Sequence, residues 1–228
     1  MSDKKYKDII NCIEAAAVSR GCIEVFADMV RCMAIALESP QVRQERHDEL
    51  EKEYAQIKAR YTEEEFANFP KALAMVTERL EAEREDYLGH VLELLQGTNV
   101  RNGQFFTPQV VAEFCAKLSA VKPADYKPGR IVTMNDPACG ASVLMIAGAE
   151  ELMRQGVQQS DILIDVGDVD GRACDISYVE LSLLGYAAVI RHQDALSRQR
   201  YSPDRYTIGY YLHSMPFRAL WRRQKEVA

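Results

Sequence analysis

No run in this 228-residue chain approaches the ~18 consecutive apolar residues of a membrane span. The N-terminus, Met1-Ser2-Asp3-Lys4-Lys5-Tyr6-Lys7, leads into no signal-type apolar stretch. Both absences point to the cytoplasm, of its own cell or of a host cell, and away from a membrane partner. The six cysteines, at 12, 22, 32, 115, 139 and 174, form no C-x-x-C pair, and the four histidines, at 47, 90, 192 and 213, are scattered. No metal site is therefore expected, and the cysteines read as reduced, mostly buried small hydrophobes. Internal repeats and low-complexity segments are absent as well. An excess of basic charge is also lacking: the formal net charge is −6, which argues against a protein that coats nucleic acid by bulk electrostatics.

What is present suits a soluble globular protein with a substantial core, in one large or two small domains: 47% hydrophobic and 27% charged residues. Charge is unevenly spread. Between Glu38 and Thr98 there are 15 acidic and 8 basic side chains, a net of −7, whereas Arg191 to Ala228 carries 8 basic and 3 acidic, a net of +5. The acidic part reads as a solvated helical surface, with nucleic-acid mimicry as the sharper alternative. The basic tail can meet phosphate.

Residues 1 to about 96 read as helix throughout. Tyr6, Ile9, Ile10, Ile13 and Ala17 fall on one helical face, and after Gly21 the period resumes at Ile23, Phe26, Ala27, Val30, Ala34 and Leu37. Ser39-Pro40 marks a stop, and Gln41 to about Arg60 is a mostly polar helix. Thr62-Glu63-Glu64-Glu65 has the form of a capping box. Pro70 restarts a helix carrying Leu73, Val76 and Leu80, and Tyr87, Val91 and Leu94 extend the stripe. These stripes are packing features of a helical bundle. Gly97 to Gly103 is the clearest composition break, which sets the expected domains at 1–100 and 101–228.

Beyond it the pattern alternates. Helices are expected near Pro108–Ala120, Ala141–Gln155 and Arg172–Leu184, and strands near Arg130–Asn135, Ile162–Gly167 and Tyr186–Arg191. A weaker strand is expected at Tyr206–Leu212 and a last helix from Phe217. Strands alternating with helices imply an α/β fold, a parallel sheet with helices on both faces. In such sheets ligands bind at the carboxyl ends of the strands. Asp136-Pro137-Ala138-Cys139-Gly140-Ala141-Ser142 lies there, where small residues let backbone amides approach a ligand. So do Gly167-Asp168-Val169-Asp170, whose carboxylate can accept both hydroxyls of a ribose or merely cap the next helix, and His192-Gln193-Asp194-Ala195-Leu196, where Asp194 can accept from an adenine amino group. Gln104-Phe105-Phe106-Thr107-Pro108 opens the first helix, with Thr107 as the expected cap and Pro108 at the first helical position.

These four motifs, in this order and at these separations, resemble the N-6 adenine DNA methyltransferase family. The likeness is closer to the modification subunits of type I restriction-modification systems, which also carry an N-terminal helical domain. It covers roughly residues 101 to 217 and, more loosely, the helical half. The resemblance implies a Rossmann-like class I methyltransferase domain, shortened at its C-terminal end, with S-adenosylmethionine as cofactor. Phe106, Thr107 and Pro108 match the segment that holds the methionine moiety, and Asp136, Ala138, Gly140 and Ser142 the glycine-turn motif. Asp168 matches the acidic residue on the ribose and Asp194 the residue at the adenine ring. One departure lies inside the turn: Ser142 stands where the family usually has a second glycine, and a positive φ there would cost about 1 kcal/mol or more.

The family's catalytic tetrapeptide has the form [Asn/Asp/Ser]-Pro-Pro-[aromatic]. It aims the target amino group at the methyl sulfonium and stacks on an extruded base. Ser214-Met215-Pro216-Phe217 occupies the corresponding place, 20 residues after Asp194, with Met215 replacing the first proline. The implied catalytic residues are Ser214, Pro216 and Phe217. The chain ends at Ala228, so the further strands and target-reading region of such enzymes are not expected here. A sheet stopping at its fourth strand leaves an apolar edge, which the N-terminal helices or another chain, a partner or a second copy, must cover. Three readings stay open. One is an adenine-specific DNA methyltransferase whose target recognition comes from a partner. Another is a catalytically impaired binding protein acting on restriction-modification complexes or on DNA. The last is an RNA or protein methyltransferase on the same fold.

Overall fold

The computed structural model describes residues 3–38, 44–96, 107–120 and 122–213. The chain divides into two compact units: residues 1–83 with 87–106, and residues 84–86 with 107–228.

Among the described residues the regular structure of the first unit is helical: α1 (Asp3–Ala16), α2 (Cys22–Ala36), α3 (His47–Lys58), α4 (Glu63–Phe66), α5 (Asn68–Ala82) and α6 (Leu88–Gln96). Most of the apolar stripe residues are its core, with Ile9, Ile13, Phe26, Val30, Leu50, Ile57, Val76 and Leu80 all buried, whereas Ile23 at the start of α2 is exposed. Thr62 accepts from the Glu65 amide while the Glu65 carboxylate accepts from the Thr62 amide, so the capping box forms. Pro70 sits in the first turn of α5 rather than ahead of it. An imino nitrogen is tolerated there, because first-turn amides have no partner within the helix.

The second unit is α/β. Its elements are α7 (Gln109–Ser119), β1 (Val132–Asp136), α8 (Val143–Arg154), β2 (Ile162–Asp168), α9 (Gly171–Leu183), β3 (Ala187–His192), β4 (Arg205–Tyr206) and α10 (Ile208–Leu212). The sheet order is β1-β2-β3-β4. The first three strands are parallel, in register Met134 with Ile164 and Ile164 with Ala188. β3 is a continuous buried run, Ala187 to Arg191, as expected of a parallel strand covered on both faces. β1 alternates instead, with Thr133 and Asn135 exposed. Among the described residues it pairs only with β2 and forms the sheet edge. α8 and α9 return the chain from β1 to β2 and from β2 to β3. The three parallel strands therefore end on the same side, and the turns after Asp136, Asp168 and His192 meet.

The strand expected over Tyr206–Leu212 is a correction. Only Arg205 and Tyr206 are extended, they run antiparallel to β3, and α10 starts at Ile208. Thr207 decides this. Its hydroxyl donates to the Tyr186 carbonyl (2.6 Å) and accepts from the Ala188 amide (3.0 Å) and the Tyr210 amide (3.3 Å), so it joins the sheet and caps the helix together. Tyr206 and Tyr210 then meet at helical spacing, centroids 4.8 Å apart. The helix expected from Phe217 lies outside the described residues.

Thr207 is fully buried, so Thr207→Val leaves the two strand groups short of a partner. The expected loss is about 2 kcal/mol, read as a lowered thermal midpoint by circular dichroism, with Thr207→Ser retaining most of the stability.

Candidate functional site

The site is built at the carboxyl ends of β1, β2 and β3. After Asp136 the chain turns through Pro137–Ser142 before α8 begins at Val143, two residues later than expected. Asp136 Oδ1 accepts from the Ala138 amide at 3.0 Å and steers the first half of the turn. The Cys139 amide donates to the Gly167 carbonyl at 2.9 Å and pins the turn to the end of β2. Gly140 has φ +55°, and no atom lies within 4 Å of where a Cβ would stand, so this peptide faces open space. Its amide donates to Asp168 Oδ2 at 2.9 Å.

Asp168 is the centre of the arrangement. Its Oδ1 accepts from the Asp170 amide (2.9 Å), and its backbone carbonyl accepts from the Gln193 amide (2.9 Å). The three turns are thereby tied to one residue. A carboxylate offers about four acceptor sites, so two backbone amides leave capacity for a pair of hydroxyls. Val169, next to it, is 60% exposed and apolar. Asp170 accepts from the Arg172 amide and caps α9. The two readings of the Gly-Asp-Val-Asp stretch thus divide: Asp170 caps the helix, while Asp168 faces the turn.

Asp194 lies in the loop after β3. Its Oδ1 accepts from the amides of Leu196 (2.8 Å) and Ser197 (3.1 Å). The Ser197 and then the Leu196 amide hold its carboxyl below the usual carboxylate range. Part of the acceptor capacity expected for an adenine amino group is thus spent on shaping its own loop.

Burial pushes the Cys139 thiol up to about 12, against a lowering effect of the neighbouring Ser142 and Ser177 hydroxyls. Cys174, one turn into α9, is pushed to about 12 by the same cause. Both are inert packing groups.

Ser142 holds the left-handed conformation, φ 69° and ψ 20°, and is completely buried. The strain anticipated for a serine at this position is therefore present. Thr107 and Pro108 precede α7, but the expected threonine cap is absent. Pro108 is the N-cap, its carbonyl accepting from the Val111 and Ala112 amides. Proline holds the extended geometry that a cap residue needs, so the helix starts one residue later. Ala112, a turn further on, packs with Val143 at the start of α8. The structure therefore brings together Asp136, Ala138, Gly140, Ser142, Asp168 and Asp194. Phe106, Ser214, Pro216 and Phe217 lie outside the described residues.

The N-6 DNA Methylase family model matches residues 83–227, well over half of the chain. The chain belongs to the N-6 DNA methylase family. A relative is the type I restriction enzyme MjaIX methylase subunit of Methanocaldococcus jannaschii, 28% identical over 141 residues, or 58% of this chain and 23% of the relative. The chain thus spans about a quarter of the length of that curated relative. A solved Listeria monocytogenes protein, described as a class I S-adenosylmethionine-dependent methyltransferase, has a TM-score of 0.48 and 18% identity. That match covers 89% of this chain and 57% of the other. Membership in the N-6 DNA methylase family carries S-adenosylmethionine as the cofactor, and the donor set fits it: carboxylate acceptors for hydroxyl and amino donors beside an open, small-residue turn.

Ser177 was not legible as a site residue. It lies on α9, 37 residues from Gly140, and its Oγ donates to the Gly140 carbonyl at 2.9 Å. No sequence pattern pairs the two.

Thiol chemistry checks the burial. At pH 8 a disulfide reagent is expected to modify the partly exposed Cys22 and Cys115, and the buried Cys12, Cys32, Cys139 and Cys174 only after denaturation. The raised thiols keep their protons in the folded state and lose them near the ordinary value of 9 when unfolded. Folding stability should therefore fall as pH rises from about 9 toward about 12, measured by urea unfolding across that range.

Proposed function

We propose that this N-6 DNA methylase family member transfers a methyl group from S-adenosylmethionine to the exocyclic amino group of adenine in DNA. We place it in a cytoplasmic restriction-modification or mobile-element setting, with target recognition supplied by a partner. The observation that carries this reading is the Asp168 junction. One carboxylate, tied to the Gly140 amide and through its backbone to Gln193, gathers three turns at the carboxyl ends of parallel strands.

When bound, the cofactor supplies an electrophilic methyl on a sulfonium sulfur. Asp168 accepts from the ribose hydroxyls, Asp194 from the adenine amino group through its remaining oxygen, and Asp136, Ala138, Gly140 and Ser142 shape the backbone between them. Phe106, Thr107 and Pro108 hold the methionine moiety. Ser214 and the carbonyl before Pro216 accept hydrogen bonds from the target amino group, and Phe217 stacks on the extruded base. The bound cofactor would supply the methyl and keep the C–S electron pair on sulfur, and the proton shed by the amino group would pass to solvent. We take residues 1–100 as a helical domain and 101–228 as the methyltransferase domain.

The partner reading rests on the edge of the second unit. β1 is unpaired on one side among the described residues, and a groove of about 400 Å³ lies along it, lined by Met134, Cys115, Leu144 and Gly148 among others. Val110, Phe114 and Leu118, spaced four apart on α7, are exposed at 76%, 61% and 67%. Contiguous apolar surface of this kind marks an interaction site, for a partner chain or a second copy. The second reading, a binding protein that modulates restriction-modification or binds DNA without catalysis, is favoured by Met215 in place of the first catalytic proline.

Calorimetry with S-adenosylhomocysteine should register binding that Asp168→Ala weakens at least about tenfold. Absence of binding, or an indifferent Asp168→Ala variant, sinks the enzyme reading. Tritiated-methyl transfer to adenine in DNA, lost in Phe217→Ala, separates enzyme from binder. Cofactor binding without transfer to DNA in the reconstituted complex rules out the first reading and leaves a binding protein or a methyltransferase of another substrate.

A further inference from the structure

We propose that Ser177 is a positioning residue of the cofactor turn, acting with Ser142 as this chain's replacement for a second turn glycine. The proposal rests on the assignment of residues 136–142 to the cofactor.

A non-glycine residue in the left-handed region costs on the order of 1 kcal/mol and persists only where its surroundings enforce it. The surroundings of Ser142 are specific. Its hydroxyl donates to Ser177 Oγ at 2.8 Å, and Ser177 Oγ donates onward to the Gly140 carbonyl at 2.9 Å. Ser142 and Ser177 are both fully buried, so no water competes for these bonds. A buried hydroxyl left without an acceptor is penalised, and the left-handed backbone is what directs Ser142 Oγ at its acceptor. The strain and the hydrogen bond therefore support each other.

The consequence reaches the ligand side through Gly140. Its amide is held by Asp168 and its carbonyl by Ser177, so the peptides on either side of this φ +55° residue are fixed from β2 and α9. Ser177 has no exposed surface and cannot touch a cofactor. It can only act by holding the turn in its open shape, which reduces the ordering cost of binding.

The test is a double-mutant cycle with two readouts: S-adenosylhomocysteine affinity by calorimetry, and amide hydrogen exchange across residues 137–143 in ligand-free protein. Ser177→Ala should speed exchange in the turn and weaken binding about tenfold, because it frees the Gly140 carbonyl and orphans the Ser142 hydroxyl. Ser142→Gly supplies the background in which the Ser177 hydroxyl has no serine to hold. The double variant Ser142→Gly/Ser177→Ala should recover most of the affinity, since glycine adopts the left-handed turn freely and leaves no orphaned hydroxyl. It also serves where Ser177→Ala alone fails to fold. Wild-type affinity and exchange in Ser177→Ala would overturn the proposal, as would an identical loss whether Ser177→Ala is made in the wild type or in the Ser142→Gly variant. A wild-type protein that bound no S-adenosylhomocysteine would count against the cofactor assignment, and the exchange comparison alone would then decide the tether.

Discussion

The hydrogen bond from the Gly140 amide to the Asp168 carboxylate is the constraint around which the second unit is arranged. It spans 28 residues of sequence and joins the turn after β1 to the end of β2. It exists because the two strands are parallel and in register, Asp136 beside Val166, so that both turns leave the sheet at the same height. The Gln193 amide brings the third turn to the same residue. A parallel sheet delivers loops to one end, and a single carboxylate with spare acceptor sites converts that proximity into a fixed junction of the three turns.

Helix α9 contributes to this junction from below. Asp170 caps it, Cys174 fills the space under the end of β2, and Ser177 reaches up to the turn. Residues 176 to 181 are all buried, a full turn and more of the helix, which is why it shows no clean amphipathic stripe. The turn carries backbone strain at Ser142, and the packed floor beneath it supplies what offsets that strain.

At the other edge of the sheet the constraint runs the opposite way. β1 has only one strand partner among the described residues and alternates polar with apolar, unlike the fully buried β3. Thr133 and Asn135 keep the exposed face of this edge strand hydrated, a common means of limiting unwanted pairing. Val110, Phe114 and Leu118 on α7 have no such adaptation, and among the described residues they form an exposed apolar row suited to a neighbour.

Much of this was legible in the residues themselves. The helical periods of the first unit, the capping box at Thr62, the alternation of strands and helices after the glycine-rich break, and the turn motifs all follow from local spacing and side-chain chemistry. The family followed from the order of those motifs. The misreadings have two causes, remote partners in one case and a local competition for a helix cap in the other. Thr207 ends β4 and starts α10 because it binds Tyr186 and Ala188, and Thr107 cedes the cap of α7 to Pro108. Spacing alone left Asp168 and Asp170 as a pair of carboxylates, the resemblance singled out Asp168, and the fold aims one at Gly140 and the other at Arg172. Sequence alone determined that a small-residue turn, three acidic positions and a parallel sheet would coincide, because those depend on local conformation and hydrophobic period. Only the tertiary structure decided that Ser142 is left-handed and that Ser177 holds it, because that requires two hydroxyls 35 residues apart to meet in a space closed to water.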